Sequence, residues 1–121
     1  MSPDPTPYPL DHLALRGASE APALTVGEVT LTYAELGDAV GRNAAELLAQ
    51  GLAPGDRVAS WMGKTMLACV LPLAAARAGL VHVPINPVLR RAQAAHILAD
   101  SGAKLLIANA ARLDSLSLIH I

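Results

Sequence analysis

The residues closest to a phosphate-binding motif are Gly63, Lys64 and Thr65, which follow a predicted strand and begin a predicted helix. A phosphate-binding loop of the nucleoside triphosphatase type has a further glycine five residues before the glycine that corresponds to Gly63. This chain has Val58 at that position. Without that glycine the backbone lacks the wide nest of N–H groups that surrounds a phosphate. We therefore interpret the three residues as a tight turn with Lys64 in solvent. A small phosphate-binding protein that uses this turn is kept as an alternative.

The other side chains capable of metal binding or nucleophilic chemistry are isolated in the sequence. A metal site needs three or four converging ligands, and no such cluster surrounds His12, His82 or His96. These histidines are expected to be structural or surface groups, with His82 pointing away from the core. Cys69 lies on an apolar predicted helix and is expected to be an inert thiol. No Gly-x-Ser-x-Gly elbow supports serine hydrolase chemistry.

Two adjacent guanidinium groups, Arg90 and Arg91, stand near the start of a predicted helix. Arginine pairs bind phosphates well, so they are candidates for a group such as the ribose 3′-phosphate of coenzyme A. A solvated helix start explains them more simply, because two basic residues alone do not define a site.

The first part of the chain predicts a short helix followed by a β-hairpin. Apolar residues spaced three and four apart predict a helix over residues 10–14, which ends at Gly17. Residues 23–26 and 29–31 are β-prone and flank Gly27-Glu28, a pair that suits a type II′ turn.

A long helix is predicted after the hairpin. Thr32 and Glu35 have the spacing of a capping box, in which each side chain reaches the other residue's backbone N–H. Gly51 is expected just beyond the end of this helix. The apolar face of this long helix is expected to contain Leu36, Val40, Leu47 and Leu48.

The second half alternates strands with helices. Strands are predicted over residues 57–62, 80–83 and 104–108, and helices over residues 64–78 and 90–101. Pro72 is expected to kink or break the first of these helices. The alternation predicts an α/β fold in which βαβ units form a parallel sheet covered on both faces.

Composition excludes several classes of protein. The chain has 121 residues, 53% hydrophobic and 16% charged, which favours a folded domain over disorder. A net charge of −1 provides no basic field for nucleic acid. The longest uncharged apolar stretch, residues 66–76, is shorter than the ~20 residues that span a bilayer. The single cysteine and the lack of a secretory signal fit a cytoplasmic protein.

Four short segments occur in an order and spacing that resemble the first part of AMP-forming acyl-CoA synthetases, the adenylate-forming family. They are Leu-Thr-Tyr-Ala-Glu-Leu at residues 31–36, Gly-Asp-Arg-Val-Ala at 55–59, and the segments 77–87 and 96–104. Residues 86–89, with Ala92, Gln93 and the segment 96–103, are similar to the acyl-CoA ligases associated with exosortase A systems.

The resemblance implies an ATP-dependent ligase that converts a carboxylate into an acyl-adenylate and then passes the acyl group to coenzyme A or a carrier thiol. ATP, Mg²⁺ and coenzyme A would be its cofactors and a small carboxylic acid its substrate. The Gly-rich phosphate loop and the catalytic lysine of the family lie further along than residue 121. We therefore assign no catalytic and no metal-binding residue, and we expect the 121-residue chain alone to be inactive.

The expected organisation follows from the extent of the resemblance. Residues 1–9 are a proline-rich lead-in, residues 10–108 are the start of an incomplete AMP-binding domain, and residues 109–121 match poorly. The fold expected is a partial N-terminal subdomain containing a β-hairpin and parallel βαβ units. A free-standing, non-catalytic α/β binding module is the alternative.

Overall fold

A computed structural model describes residues 6–116 as a small α/β structure. The first element is a 3₁₀ helix (Leu10–Leu15), which lies where the short helix over residues 10–14 is predicted. The remaining elements follow in this order: β1 (Pro22–Val26), β2 (Val29–Thr32), α1 (Tyr33–Ala49), β3 (Arg57–Trp61), α2 (Met66–Arg77), β4 (Val81–Pro84), α3 (Arg91–Ser101), β5 (Leu105–Ala108) and α4 (Ala110–Leu116).

The second half forms the predicted parallel sheet. Its three strands lie in the order β4-β3-β5, and both outer strands run parallel to β3. Ala59 of the central strand lies opposite Val83 on one side and Leu106 on the other. The strand that comes first in sequence is therefore the central one, and the chain crosses over it between β4 and β5.

Both faces of this sheet are covered, as expected for parallel strands. Side chains alternate between faces along a strand, so neighbouring residues of β3 enter different cores. Val58 packs with α1 and α2, whereas Ala59 and Trp61 pack with α3, α4 and the segment after β4. Val58 and Ala59 are both fully buried.

The hairpin and its helix form as predicted. Val26 lies opposite Val29, and the turn between them has a positive φ only at Gly27, as a type II′ turn requires. The Thr32 side chain accepts a hydrogen bond from the Glu35 backbone N–H, and the Glu35 side chain accepts one from the Thr32 backbone N–H. The capping box is therefore confirmed.

The buried face of α1 differs from expectation, and two other helices show further details. Leu48 was expected in the buried face of α1 but is exposed, and the smaller Ala44 is buried instead. The reason is spacing: residues 36, 40, 44 and 47 follow the 3.6-residue period of a helix more closely than residues 36, 40, 47 and 48. Pro72 does not break α2, which continues to Arg77. In the 3₁₀ helix Ala14 is buried, whereas Leu10 and Leu13 are mostly exposed.

The first part of the tail at residues 109–121, which was expected to match poorly, contains a helix. Helix α4 begins at Ala110, and the buried Leu116 packs in the core that contains Trp61. Residues 117–121 lie outside the described part of the chain. In the part that is described, no helix is both long and apolar enough for a membrane span.

A third core joins the first half of the chain to the sheet. Ala14 packs with Leu36 and Val40 of α1 and with Val70 and Leu73 of α2. At its border the guanidinium Nε of α2's Arg77 donates to a carboxylate oxygen of Asp11 over 3.2 Å. The 3₁₀ helix is therefore held to α2 by both apolar and ionic contacts.

Gly17 has a packing role in this region. Its φ is not positive, so its backbone conformation does not require glycine. However, a Cβ built on Gly17 would overlap the ring of Tyr33, the aromatic residue of the Leu-Thr-Tyr-Ala-Glu-Leu segment. The missing side chain therefore lets the chain pass closely under this ring.

We predict that Gly17→Ala lowers the free energy of unfolding by about 1–3 kcal/mol, because the added methyl group must displace the Tyr33 ring. Urea unfolding followed by circular dichroism measures the change. Gly37→Ala is the matched control: Gly37 lies in α1 with no atom within 4 Å of a built Cβ. Gly37→Ala should raise the free energy of unfolding by about 0.5–1 kcal/mol, since alanine favours a helix interior more than glycine does. Equal effects at the two sites would contradict the packing role of Gly17.

Candidate functional site

A groove of about 820 Å³ lies between α2 and β4, and it extends from Leu80, just before β4, to the segments that follow β3 and β4. Helix α2 leaves β3 toward one face of the sheet, and α3 leaves β4 toward the other, as their separate cores show. Connections that diverge in this way open a crevice at the ends of the strands, which is where open α/β sheets usually bind ligands. One end of the groove, at residues 62–64 and 85–87, reaches this crevice, so the groove is the candidate site.

The walls of the groove are mostly apolar. One wall is a stripe of α2 in which Ala68, Pro72 and Ala76 follow one another at four-residue intervals, with Cys69 beside them. The opposite wall comes from the sheet and the segments that follow its strands, with the residues Ser60, Met62, His82, Pro84, Ile85, Asn86 and Pro87. Lys64 is the only charged residue that lines it.

Ser60 and His82 form a hydrogen-bonded pair in this groove, with 2.8 Å between Ser60 Oγ and His82 Nε2. The parallel register places Val58 opposite His82 and Ser60 opposite Pro84, so these four residues share one face of the sheet. Ser60 is buried and His82 is half-buried. The prediction that His82 points away from the core is therefore wrong.

Burial lowers the pKa of His82 below its usual 6.5. Desolvation is the cause, because a half-buried imidazole is stabilised less by water when it is protonated. His82 is thus neutral at pH 7, and the Ser60–His82 pair adds hydrogen-bonding groups to the groove without adding charge.

The Gly-Lys-Thr segment forms the short turn predicted for it. Val58 is buried within β3, so the backbone five residues before Gly63 is extended strand. Thr65 caps α2, and its hydroxyl accepts a hydrogen bond from the Ala68 N–H over 3.1 Å. Lys64 is exposed at the edge of the groove.

Arg90 and Arg91 are not part of the groove lining. Both are exposed at the start of α3, where the Arg90 backbone N–H donates to the Gln93 side chain over 3.0 Å. Neither guanidinium is paired with a carboxylate among residues 6–116. Their exposure agrees with a solvated helix start and leaves both groups accessible to an anion.

The remaining candidates stay apart from one another. Within the described residues no three histidine, cysteine or acidic side chains gather as metal ligands would. His12 lies near the Tyr8 ring, with 5.9 Å between ring centroids, and His96 is exposed on α3. Cys69 is half-buried on the groove wall. Sequence reasoning missed the Ser60–His82 pair, because the two residues are 22 positions apart and only the strand register joins them.

Comparison with known proteins agrees with this fold. The profile of a family described as AMP-binding enzyme matches residues 11–120. The chain is 45% identical over 93 residues to feruloyl-CoA synthase from Amycolatopsis sp, covering 76% of this chain and 19% of that protein. It is 42% identical over 80 residues to the long-chain-fatty-acid–CoA ligase FadD13 from Mycobacterium tuberculosis, covering 66% and 16% respectively.

A solved structure is similar as well. The inhibitor-bound N-terminal domain of FACL13 from Mycobacterium tuberculosis superposes with a TM-score of 0.73 at 37% sequence identity, covering 78% of this chain and 24% of that domain. The chain belongs to the AMP-binding enzyme family. It spans 16% to 19% of the length of the two relatives named above.

The lowered pKa of His82 predicts an acid-sensitive structure. The unfolded chain binds a proton at His82 more readily than the folded one, so stability decreases as the pH falls through about 6.5. His82→Gln removes this titration. The difference in unfolding free energy between pH 7.5 and pH 5.5 should be smaller in this variant than in the parent chain. Urea unfolding at the two pH values measures it.

His96→Gln is the control for this experiment, because His96 is exposed on α3. It should keep the parent's loss of stability on acidification. If both variants lose the same amount of stability as the parent between the two pH values, the burial of His82 has no energetic effect.

Proposed function

We propose that this chain is the amino-terminal scaffold of an ATP-dependent, AMP-forming ligase that joins a carboxylic acid to coenzyme A or a carrier thiol. The observation that carries the proposal is the family match over residues 11–120, with relatives named as acyl-CoA ligases and synthases. In this proposal the 121 residues supply structure, and the adenylation chemistry depends on polypeptide that the longer relatives possess.

The proposed reaction suits a two-stage enzyme. A carboxylate is a poor electrophile, and conversion to an acyl-adenylate gives it a good leaving group. Mg²⁺ would offset the charge of the ATP phosphates when bound. Among residues 6–116 no group of metal ligands exists for it. The described residues therefore act by fixing the sheet and its helices.

Among the cofactors of the proposed reaction, coenzyme A is the one for which residues 6–116 offer candidate ligands. Arg90 and Arg91 are adjacent and exposed, and guanidinium groups pair well with phosphate oxygens. We propose that they contact a phosphate of the thiol cofactor, such as its 3′-phosphate, on the surface of the assembled enzyme.

The proposed setting is the cytoplasm, with a small carboxylic acid, ATP and a thiol as partners. A net charge of −1 is unsuited to nucleic acid, and the single cysteine, Cys69, is free.

The runner-up is a non-catalytic α/β module that binds a small molecule. The groove between α2 and β4 favours it, because cavities of roughly 300–1,000 Å³ suit small ligands. A binding module and a ligase scaffold differ in whether residues 10–108 support acyl-CoA formation when joined to the rest of a family enzyme.

We predict that the purified chain releases no pyrophosphate from ATP with any of a panel of aliphatic and aromatic carboxylic acids. A graft tests the scaffold role directly: residues 11–108 replace the matching segment of feruloyl-CoA synthase. The graft should form feruloyl-CoA, because the segment rebuilds the same sheet at high identity. Spectrophotometric assay of thioester formation measures it.

Turnover by the chain alone would contradict the scaffold proposal, and so would a folded graft without ligase activity. The graft carrying Val58→Asp is the negative control. It places an unpaired carboxylate at a fully buried position of β3 and should prevent folding and activity together.

The phosphate contact is tested in the same graft. Arg90→Ala with Arg91→Ala should raise the KM for coenzyme A by about five- to thirtyfold, since a charge-assisted contact contributes roughly 1–2 kcal/mol. The KM for dephospho-coenzyme A should be unaffected, because it lacks the 3′-phosphate. Arg42→Ala, which removes an exposed guanidinium on α1, is the control and should change neither value. An equal rise for both cofactors would refute the assignment.

A further inference from the structure

One side chain, that of Arg112 in α4, joins the carboxyl ends of the three parallel strands. Its guanidinium lies over the ring of Trp61, the last residue of β3, with 5.5 Å between Cζ and the ring centroid. Its Nη2 donates to the carbonyl oxygen of Pro87 over 3.2 Å, in the segment that follows β4. Arg112 itself follows β5, so it links three segments that are distant in sequence.

Helix α4 depends on its contacts with the rest of the chain. It has seven residues, and helices this short are not stable in water without tertiary packing. Asn109 caps its amino end, where the Asn109 side chain accepts a hydrogen bond from the Arg112 backbone N–H over 2.9 Å. Of the α4 side chains that the structure describes, only those of Arg112 and Leu116 are not exposed. These two side chains therefore hold the helix in place.

The closed position of α4 has an opposing cost at Trp61. The ring is only 3% exposed, and within residues 6–116 its indole Nε1–H has no hydrogen-bond partner. A buried donor without a partner is unfavourable. Because Arg112 lies over this ring and Leu116 packs in the same core, opening of α4 would admit water and provide an acceptor. Favourable and unfavourable contributions thus oppose each other, which is a condition for local opening of a folded chain.

The bond to Pro87 connects α4 with the turn between β4 and α3. In this turn the Leu89 N–H donates to the Asn86 carbonyl over 3.0 Å, and the Val88 N–H donates to the Asn86 side chain over 3.0 Å. Three of the four turn residues are exposed, so the turn has little packing of its own. The contact with Arg112 therefore contributes to its position.

We propose that α4 is a strap at the carboxyl ends of the strands that opens locally, and that Arg112 couples its opening to the turn after β4. Opening removes the guanidinium from the Trp61 ring and from the Pro87 carbonyl together. The turn leads directly into Arg90 and Arg91, so the strap controls how firmly these two groups are held. The proposal does not require ligase activity or a phosphate contact, and the 121-residue chain is sufficient to test it.

Amide hydrogen exchange followed by NMR measures the opening of each segment. In the parent chain the Leu113 N–H, which donates to the Asn109 carbonyl, should be protected from exchange, but less than the Val81 N–H of the sheet. Arg112→Ala should raise the exchange rates of Leu113 and Leu89 together by about three- to thirtyfold, since a charge-assisted hydrogen bond and a cation–π contact are lost. The rate at Val81 should not change.

Three results would overturn the proposal. They are an unprotected Leu113 in the parent chain, a rise at Leu113 without one at Leu89, and an equal rise at Val81, which indicates general destabilisation. Arg42→Ala is the matched control, because Arg42 is an exposed arginine whose guanidinium bonds within its own helix. It should leave all three rates unchanged.

Asn109→Ala tests the coupling from the other end. It removes the cap of α4 and leaves the guanidinium in place, so exchange should rise at Leu113 and, through Arg112, at Leu89. In an Arg112→Met background the same change should no longer affect Leu89. An effect on Leu89 that is equal in both backgrounds, or absent from both, would refute the coupling.

Trp61 is the only tryptophan of the chain, so its fluorescence reports the strap directly. Acrylamide quenching should increase in Arg112→Met, which keeps an apolar side chain over the ring but loses the charge and the donor. Arg112→Lys keeps a cation and a donor for Pro87 and should restore most of the protection. Circular dichroism confirms that each variant folds. Quenching in Arg112→Met equal to that of the parent would show that apolar cover alone holds the strap, which contradicts the role of the guanidinium.

Discussion

The structure depends on the burial of one short strand from all sides. β3 pairs with β4 along one edge and with β5 along the other, while alternate side chains enter the cores above and below. Its backbone polar groups must find partners inside the protein, because water does not reach a buried strand. Backbone hydrogen bonds continue beyond the strand pairs, with the Lys104 N–H donating to Arg57 and the Ile85 N–H donating to Ser60. Every helix of the second half exists to cover one face of this strand.

The same arrangement creates the groove. The central strand β3 comes first in sequence, and the helix that follows it, α2, packs on one face of the sheet. Helix α3 connects β4 to β5, which lies at the opposite edge, and packs on the other face. The groove lies on the α2 side of the sheet, with α2 as one wall and β4 as the other, and α3 contributes no residue to it. The parallel register then places Ser60 near His82 inside that space. The groove and its polar pair are thus consequences of strand order and register.

Local sequence signals predicted the elements well because their causes are local. The Thr32–Glu35 capping box and the Gly27 turn each depend on residues within a few positions of one another. The parallel sheet was also predictable, since alternation of strands with helices permits few other arrangements. The family resemblance added the expected course of the chain, and the match over residues 11–120 confirms the family.

What the sequence did not predict depends on contacts between distant segments. Gly17 was interpreted as a helix terminator, but its lack of a side chain serves the approach of Tyr33. The Ser60–His82 pair follows from register, which no local pattern specifies.

Small side chains explain how a chain with three aromatic residues builds two cores around one strand. Ala44, Ala74, Ala75 and Ala78 occupy the core that contains Val58, and Ala94 and Ala95 occupy the core that contains Trp61. Each alanine buries little area, so its main effect is to bring helix backbones close to the sheet. Close approach on the buried faces makes each fit sensitive to added volume. Ala68 and Ala76 are alanines on the face of α2 that lines the groove. There the small side chains leave open space between α2 and the sheet. One residue type therefore produces tight packing or a cavity, depending on whether an element faces it.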